Sequence, residues 1–358
     1  AFYRIPELES VDLIRRIRDE SFRRHLIYMR DGEVETINVL ACPVTVLPDQ
    51  LAYVHSVSLT IHRALKRFPE IYMQDFGVRD TLRISAGEEE WLWKCWGRSH
   101  AESDPVFGRL DALVDFTSPT WKDSLRFVEP NMSGIGGLHL VPTCERILGE
   151  LVLPLLWAGD PQLQLQIGQD MRSLLMQEVL DHLQTIGRPA RNIIFVEPRS
   201  DGSGTDEQDA LAAYFHDRFG MKVLHTDPQQ LRLDKGEVYC GDMVVDLAYR
   251  DYSVSELLKL AAAGADVAPM RALFEQNRII SSITAELDQK SCWEVLTDPA
   301  VTHRYFSADE RQVFRRHILW TRIVADRRSL LPDGQTGDLL EYARREHEYL
   351  VLKPNRSF

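Results

Sequence analysis

The chain has 358 residues, of which 44% are hydrophobic and 27% charged, and its net charge is −12. That length suffices for two or three domains with substantial cores, and the composition is that of an ordinary globular protein. The acidic balance argues against nucleic acid or an acidic membrane as a partner, since both need a basic face.

The five cysteines, Cys42, Cys95, Cys144, Cys240 and Cys292, form no Cys-x-x-Cys pair. Separate thiols in a chain this long fit a reducing, cytoplasmic compartment. No apolar signal region follows the charged start at Arg4, Glu7 and Glu9. The longest apolar run, Leu151 to Gly159, is too short to span a bilayer and contains Pro154.

In chain order, residues 7–30 predict a helix with Leu13, Ile14, Ile17 and Phe22 on its apolar side. Glu33 to Val46 reads as one or two strands. A second helix opens after Leu47-Pro48-Asp49, with Leu51, Val54, Ser58, Ile61, Leu65 and Phe68 as its core-facing stripe. His55 and His62 share a face of it, but no acid completes a metal set. Trp91, Trp93 and Trp96 crowd one segment and read as a packing anchor.

Arg109-Leu110-Asp111 precedes a strand expected over Ala112 to Phe116; by pattern the Arg-Asp pair is a salt bridge. Arg126 to Val128 ends another short strand. Glu129 and Asn131 follow at spacing two, which on an extended segment puts them on one face. Ser133 and a run with Gly134, Gly136 and Gly137 come next, and glycine lets backbone approach a ligand closely. A carboxylate with a carbonyl oxygen is a hard-oxygen pair suited to Mg²⁺, while a tight turn beside a solvated acid is the other reading.

Val141 to Leu156 predicts a helix. A second, over 165–186, has Met171, Leu174, Leu175, Leu183 and Ile186 inward and Gly187 as its C-cap. Asn192 to Val196 is a continuous apolar strand of the buried parallel type. A loop follows from Arg199 to Gly204; Gly202-Ser203-Gly204 lacks a dinucleotide or Walker fingerprint and reads as a flexible loop. Thr205-x-x-Gln208 predicts a capping box opening a helix that ends at Gly220, followed by a strand at Lys222 to Leu224. This alternation implies an inserted three-layer α/β subdomain. Glu237 to Tyr239 and Met243 to Tyr249 form a hairpin ending in Tyr249-Arg250-Asp251-Tyr252. Ile279 to Leu287 leads to Gln289-Lys290. The arginine-rich run over 309–328 reads as a solvated helix face. Tyr349 to Pro354 predicts a strand carrying Lys353.

Five of these segments, in this order, resemble the circularly permuted ATP-grasp ligases: the eukaryotic-type glutathione synthetases, with glutathionylspermidine synthetase as a relative. They are Arg109-x-Asp111, twenty residues before Glu129; Glu129-x-Asn131 with Ser133 and Gly136-Gly137-Leu138; Tyr249-Arg250-Asp251-Tyr252, with Arg250 121 residues after Glu129; Gln289-Lys290; and Val351-Leu352-Lys353-Pro354, with Lys353 63 residues after Lys290. The resemblance spans about residues 40–358. The family loop is about two residues longer between the Asn and the Gly-Gly, and Tyr252 stands where the family often has Gly.

The resemblance implies a mixed α/β (α+β) chain: an ATP-grasp-like ligase with an inserted parallel-sheet subdomain. The expected layout is a core part over 1–187 holding the metal and substrate segment, the inserted subdomain over 188–278, and the start of an ATP-binding region over 279–358. The chain opens at Ala1 rather than Met. The expectation is that the glycine-rich loop, the adenine pocket and a further metal-binding acid lie outside this sequence.

By the same resemblance, Glu129 and Asn131 hold Mg²⁺, and Lys290 and Lys353, with the Gly136-Gly137 turn, bind ATP. Arg109, Ser133 and Arg250 hold a carboxylate substrate. Arginine suits that task because its planar fork takes a carboxylate bidentately. The implied activity is ATP-dependent carboxylate–amine ligation through an acyl phosphate. Its partners are an amino-acid or small-peptide carboxylate and an amine co-substrate, with no nucleic acid and no membrane, and a homodimer is left open. The alternative is a non-catalytic small-molecule or peptide-binding protein derived from such a ligase. A metal-independent amidase or cysteine hydrolase has little support, since no Cys is paired with a motif His.

Overall fold

Residues 7–30, 33–189, 191–197, 204–205 and 207–356 are described by a computed structural model. It is a mixed α/β chain, as expected, and it divides into two compact units, both discontinuous in sequence. One comprises residues 1–45, 134–252 and 256–280; the other comprises 46–133, 253–255 and 281–358.

The first unit is organised around a four-stranded, wholly parallel sheet. Its order is Ile279–Ile280, Leu247–Arg250, Asn192–Val196, Lys222–Thr226. Ile194 lies between Ala248 and Leu224 in register. Ile193, Ile194, Phe195 and Val196 are all buried, as a strand covered on both faces requires. The helix Gln208–Phe219 connects two of these strands and packs Phe215 against Phe195, ring centres 5.8 Å apart. It ends at Gly220, whose φ of +66° closes the last turn.

A separate apolar cluster joins Leu13, Ile17 and Leu26 to Ile147, Val152, Leu153 and Leu156. Gly187, at φ +70°, follows the helix Met171–Thr185, as its sequence predicts.

The second unit is mainly helical, with the antiparallel pair Arg109–Leu113 and Arg126–Asn131 and a second pair, Arg328–Leu330 with Thr336–Asp338. Phe127 makes a parallel bridge to Ile318, and Trp91, Phe127, Trp293 and Phe314 are fully buried in this unit. The helix Pro48–Leu65 packs on Ala308–His317, where the Tyr53 hydroxyl lies 2.9 Å from His317 Nε2. No helix among the described residues is long and apolar enough to cross a membrane.

Several local expectations need correction. The first helix is Glu7–Arg23, and a strand follows at Ile27–Arg30; His25, at φ +57°, turns the chain out of the helix. Ile14 and Phe22 face outward. On Pro48–Leu65 the core face runs through Val57, Ile61, Ala64 and Leu65, while Leu51 is exposed. His62 is neutral, its pKa held down to about 4 mainly by burial, and His55 is exposed.

The strand expected over Ala112 to Phe116 starts earlier, at Arg109, and stops at Leu113. The single helix predicted over Val141 to Leu156 is two, Leu140–Leu151 and Leu153–Gly159. Pro154 sits in the first turn of the second, where its missing N–H leaves no bond unmade. The helix predicted over 165–186 begins only at Met171, capped by Asp170.

Thr205 caps no helix. With Gly204 it forms a short strand paired to Tyr28 and Met29, and Gln208 opens the helix after Glu207. Gly202 and Ser203 lie outside the described residues. Met243–Val244 and Leu247–Arg250 are separate strands: the first closes the hairpin with Glu237–Cys240, and the second joins the parallel sheet. The arginine-rich run is helical only over Ala308–His317. Tyr349 to Pro354 is not a strand; Val351 and Leu352 are exposed and in no regular element.

Candidate functional site

In the second unit the Arg126–Asn131 strand runs past the point where the sequence suggests it ends, so Glu129 and Asn131 project from one face of a paired strand. Arg109–Leu113 lies beside it with Asp111 opposite Glu129 and Arg109 opposite Asn131. Opposite residues in an antiparallel pair share a face, and two facing carboxylates repel. Cations offset that repulsion here. Arg109 Nε is 2.7 Å from Asp111 Oδ1. Lys290 Nζ lies 2.7 Å from Glu129 Oε1, and Lys353 Nζ lies 2.6 Å from Oε2.

Each oxygen of Glu129 thus holds its own ammonium. Burial pushes its pKa up, but hydrogen bonds and charge from Lys290 and Lys353 outweigh this and keep the carboxyl below its ordinary value. The lysines come from distant parts of the chain: Lys353 is 224 residues from its partner. Lys290 sits just before the helix Cys292–Thr297, and Lys353 is in an irregular segment. Beside them Asn131 Nδ2 is buried with no hydrogen-bond partner among the described residues. A buried donor left open at the edge of a charged cluster is placed to meet an incoming acceptor.

Three further groups were not singled out from the sequence. Asp288, between a 3₁₀ turn and Lys290, accepts a hydrogen bond from the Met132 backbone N–H. Burial, aided by the negative charges of Glu286 and Glu129, pushes its pKa up to about 7. Asn355 and Arg356, just after Lys353, make side-chain bonds to Gln289, Ser291 and Glu88. The signal for Asp288 was an acid two residues before a singled-out lysine. Nothing local marked the other pair.

The remaining predicted residues lie elsewhere. Ser133 is half-buried at the end of its stretch of the second unit. Gly136 and Gly137 belong to the first unit. There the Gly137 N–H donates to Glu207 Oε2 at 3.1 Å and the Leu140 N–H to Oε1 at 3.1 Å. A protein carboxylate therefore occupies the donors of this turn, in the position an anion takes at a helix N-terminus. Gly134 has φ +58°, which strains other residues, and a Cβ there would stand 1.9 Å from Asp251 Oδ1, so that side chain would have to shift.

Arg250, also in the first unit, is fully buried. Its Nη1 donates to the Tyr252 carbonyl at 2.7 Å, and its guanidinium lies 4.9 Å from the centre of the Phe274 ring. It stiffens the turn at the end of its strand.

Among the described residues no group of three or more His, Cys, Asp or Glu is placed to hold a metal ion. What Glu129 offers is a partial shell of one ionised carboxylate; on the same strand face the open Nδ2 of Asn131 is a donor that suits a phosphate oxygen and not a cation. The carboxylate fits a hard divalent cation which completes its coordination with waters and phosphate oxygens.

No protein-family model matches the chain, and no characterised protein matches it by sequence. Among solved structures the chain is similar to a glutathione synthetase-like effector (GSS30) from Globodera pallida, solved in apo form. The TM-score is 0.59 at 13% identity, over 88% of this chain and 71% of that one. This likeness shows a glutathione synthetase-like fold.

Proposed function

We propose that the second unit carries a Mg²⁺-nucleotide phosphate site and that the protein is an ATP-dependent carboxylate–amine ligase of ATP-grasp type, acting in the cytoplasm. The observation that carries this reading is the Glu129 carboxylate held between Lys290 and Lys353 beside the open amide of Asn131. Two ammonium groups on one carboxylate are exchangeable charge. A polyphosphate attracts both lysines, and the freed oxygens of Glu129 then face the cation that accompanies it. Glu129 would hold Mg²⁺, which when bound would supply charge that offsets that of the phosphates.

In this reading the γ-phosphoryl of ATP passes to a substrate carboxylate, and an amine then displaces phosphate to form the amide. The substrate is an amino acid or small peptide, its carboxylate met by Arg109, which lies opposite Asn131 in register. Positioning and electrostatic stabilisation supply most of such catalysis, and no protein nucleophile is required.

A specific observation favours a second reading, that of a binding protein on a ligase fold. Arg250 is buried in the structure of its own turn, and Glu207 occupies the Gly137 donor. The structural relative described above is itself an effector.

The deciding experiment is ADP release with Mg²⁺-ATP and pooled amino acids and small peptides, run beside Glu129→Ala. Release that requires both a carboxylate and an amine, and that Glu129→Ala loses, supports the ligase. Nucleotide binding without turnover supports the binding protein.

A further inference from the structure

Lys353 reaches Glu129 from a segment with no regular structure of its own. Val351 and Leu352, just before it, are 86% and 82% exposed. The Lys353 side chain is itself 46% exposed. An ion pair that open holds a long side chain poorly, because lost rotamer freedom and screening offset the attraction. What fixes this lysine lies after it.

Asn355 docks at three points. Its carbonyl accepts from the Lys290 N–H at 3.2 Å, its Oδ1 accepts from the Ser291 N–H at 2.9 Å, and its Nδ2 donates to Gln289 Oε1 at 2.9 Å. Arg356 then forks onto Glu88, with Nη1 at 3.0 Å from Oε2 and Nη2 at 2.5 Å from Oε1. Glu88 is 1% exposed. It is held by the first turn of the helix Ala86–Cys95, where it also accepts from the Ser85 N–H at 2.8 Å. A bidentate arginine–carboxylate pair fixes both distance and orientation. Glu88 is thus a rigid anchor that adds to the three bonds of Asn355 in a segment without regular structure.

We infer that Glu88, Arg356 and Asn355 are positioning residues for the phosphate site: they hold residues 353–356 so that the Lys353 ammonium stands at Glu129. This rests on the phosphate-site reading above. Glu88 and Arg356 act through Lys353 and touch no ligand themselves.

The test uses the full chain with Lys353→Met, Arg356→Gln and Arg356→Lys, the last retaining the charge but losing the fork. The first readout is the acetylation rate of Lys353, followed by mass spectrometry with Lys94 as internal reference. Arg356→Gln is expected to raise the Lys353 rate several-fold without moving Lys94, and Arg356→Lys is expected to fall between. The second readout is Mg²⁺-ATP affinity in a double-mutant cycle. Arg356→Gln alone should weaken binding about tenfold, yet add little on top of Lys353→Met, because coupled residues are not additive.

An unchanged Lys353 rate, or fully additive losses, overturns the inference and leaves Glu88–Arg356 as a support for its helix. Failure of the unaltered chain to bind nucleotide overturns the phosphate-site reading instead. The acetylation rates then still decide whether Arg356 places Lys353. If Arg356→Gln does not fold, Arg356→Lys carries both readouts.

Discussion

The two units treat charge in opposite ways. In the first, Arg250 is fully buried, bonded to the Tyr252 carbonyl and stacked on Phe274. In the second, Glu129 is shared by two lysines whose side chains are 13% and 46% exposed. Moving a buried guanidinium onto a ligand would break its bond to the Tyr252 carbonyl and open a cavity beside an aromatic ring. Moving an ammonium from a carboxylate to a phosphate merely exchanges one anion for another. The difference teaches which charges belong to the architecture and which can be given to a ligand. It separates an arginine held within its own turn from two lysines whose ion pair a ligand could exchange.

The comparison can be broken most forcefully at Arg250. Arg250→Met should destabilise the protein by about 2–4 kcal/mol in denaturant unfolding, through the lost charged hydrogen bond and packing. A variant that keeps its stability but loses affinity for a carboxylate substrate would move Arg250 from the architecture to the site.

Next in size is Asp288. An aspartate ordinarily titrates at 3.8, and burial raises this one to about 7. Below 3.8 both folded and unfolded chains hold the proton and nothing is lost. Between the two values only the unfolded chain has released it, so stability falls as pH rises, and the full cost is present above 7. Asp288→Asn should flatten this slope and stabilise the protein at pH 8 by on the order of 2 kcal/mol. Melting temperatures across pH 4 to 8 check it, and an unchanged slope would show that Asp288 is ionised and paired in the fold.

Lys353→Met sharpens the contrast by reversing a sign. It should weaken Mg²⁺-ATP binding about tenfold while strengthening the binding of Mn²⁺ alone, because the cation no longer competes with an ammonium for Glu129. Titration followed by Mn²⁺ spectroscopy reads both, and equal losses for nucleotide and metal would contradict exchangeable pairing. The smallest effect is expected at Arg109, whose pair with Asp111 is 46% and 40% exposed. Arg109→Gln should change stability by less than about 1 kcal/mol in thermal unfolding, as exposed pairs do. A larger loss would make that pair structural too.

Much of the frame was legible in the sequence because it depends on local pattern. The unbroken apolar run Asn192 to Val196 announced a parallel strand, and Gly187 and Gly220 marked helix ends at φ values that glycine adopts freely. The sequence also singled out Glu129, Lys290 and Lys353, though not that both lysines share one carboxylate. Local pattern failed where a distant partner decides. Tyr349 to Pro354 has strand chemistry but pairs with no strand among the described residues, and the segment is followed by the bonds of Asn355 and Arg356 instead. Thr205 looked like a cap, yet it joined a strand formed by residues 27–30. Nothing in the sequence singled out Glu88, and only its burial against Arg356 reveals an anchor.

The central claim is that Glu129, with Lys290 and Lys353, forms a nucleotide phosphate site. Calorimetric titration of the full chain with ATP, with and without Mg²⁺ and beside Glu129→Ala, tests it most directly. The account predicts Mg²⁺-dependent binding by the unaltered chain and a loss of about 10- to 100-fold in the variant. Absence of binding by the unaltered chain, or equal binding by Glu129→Ala, would contradict it.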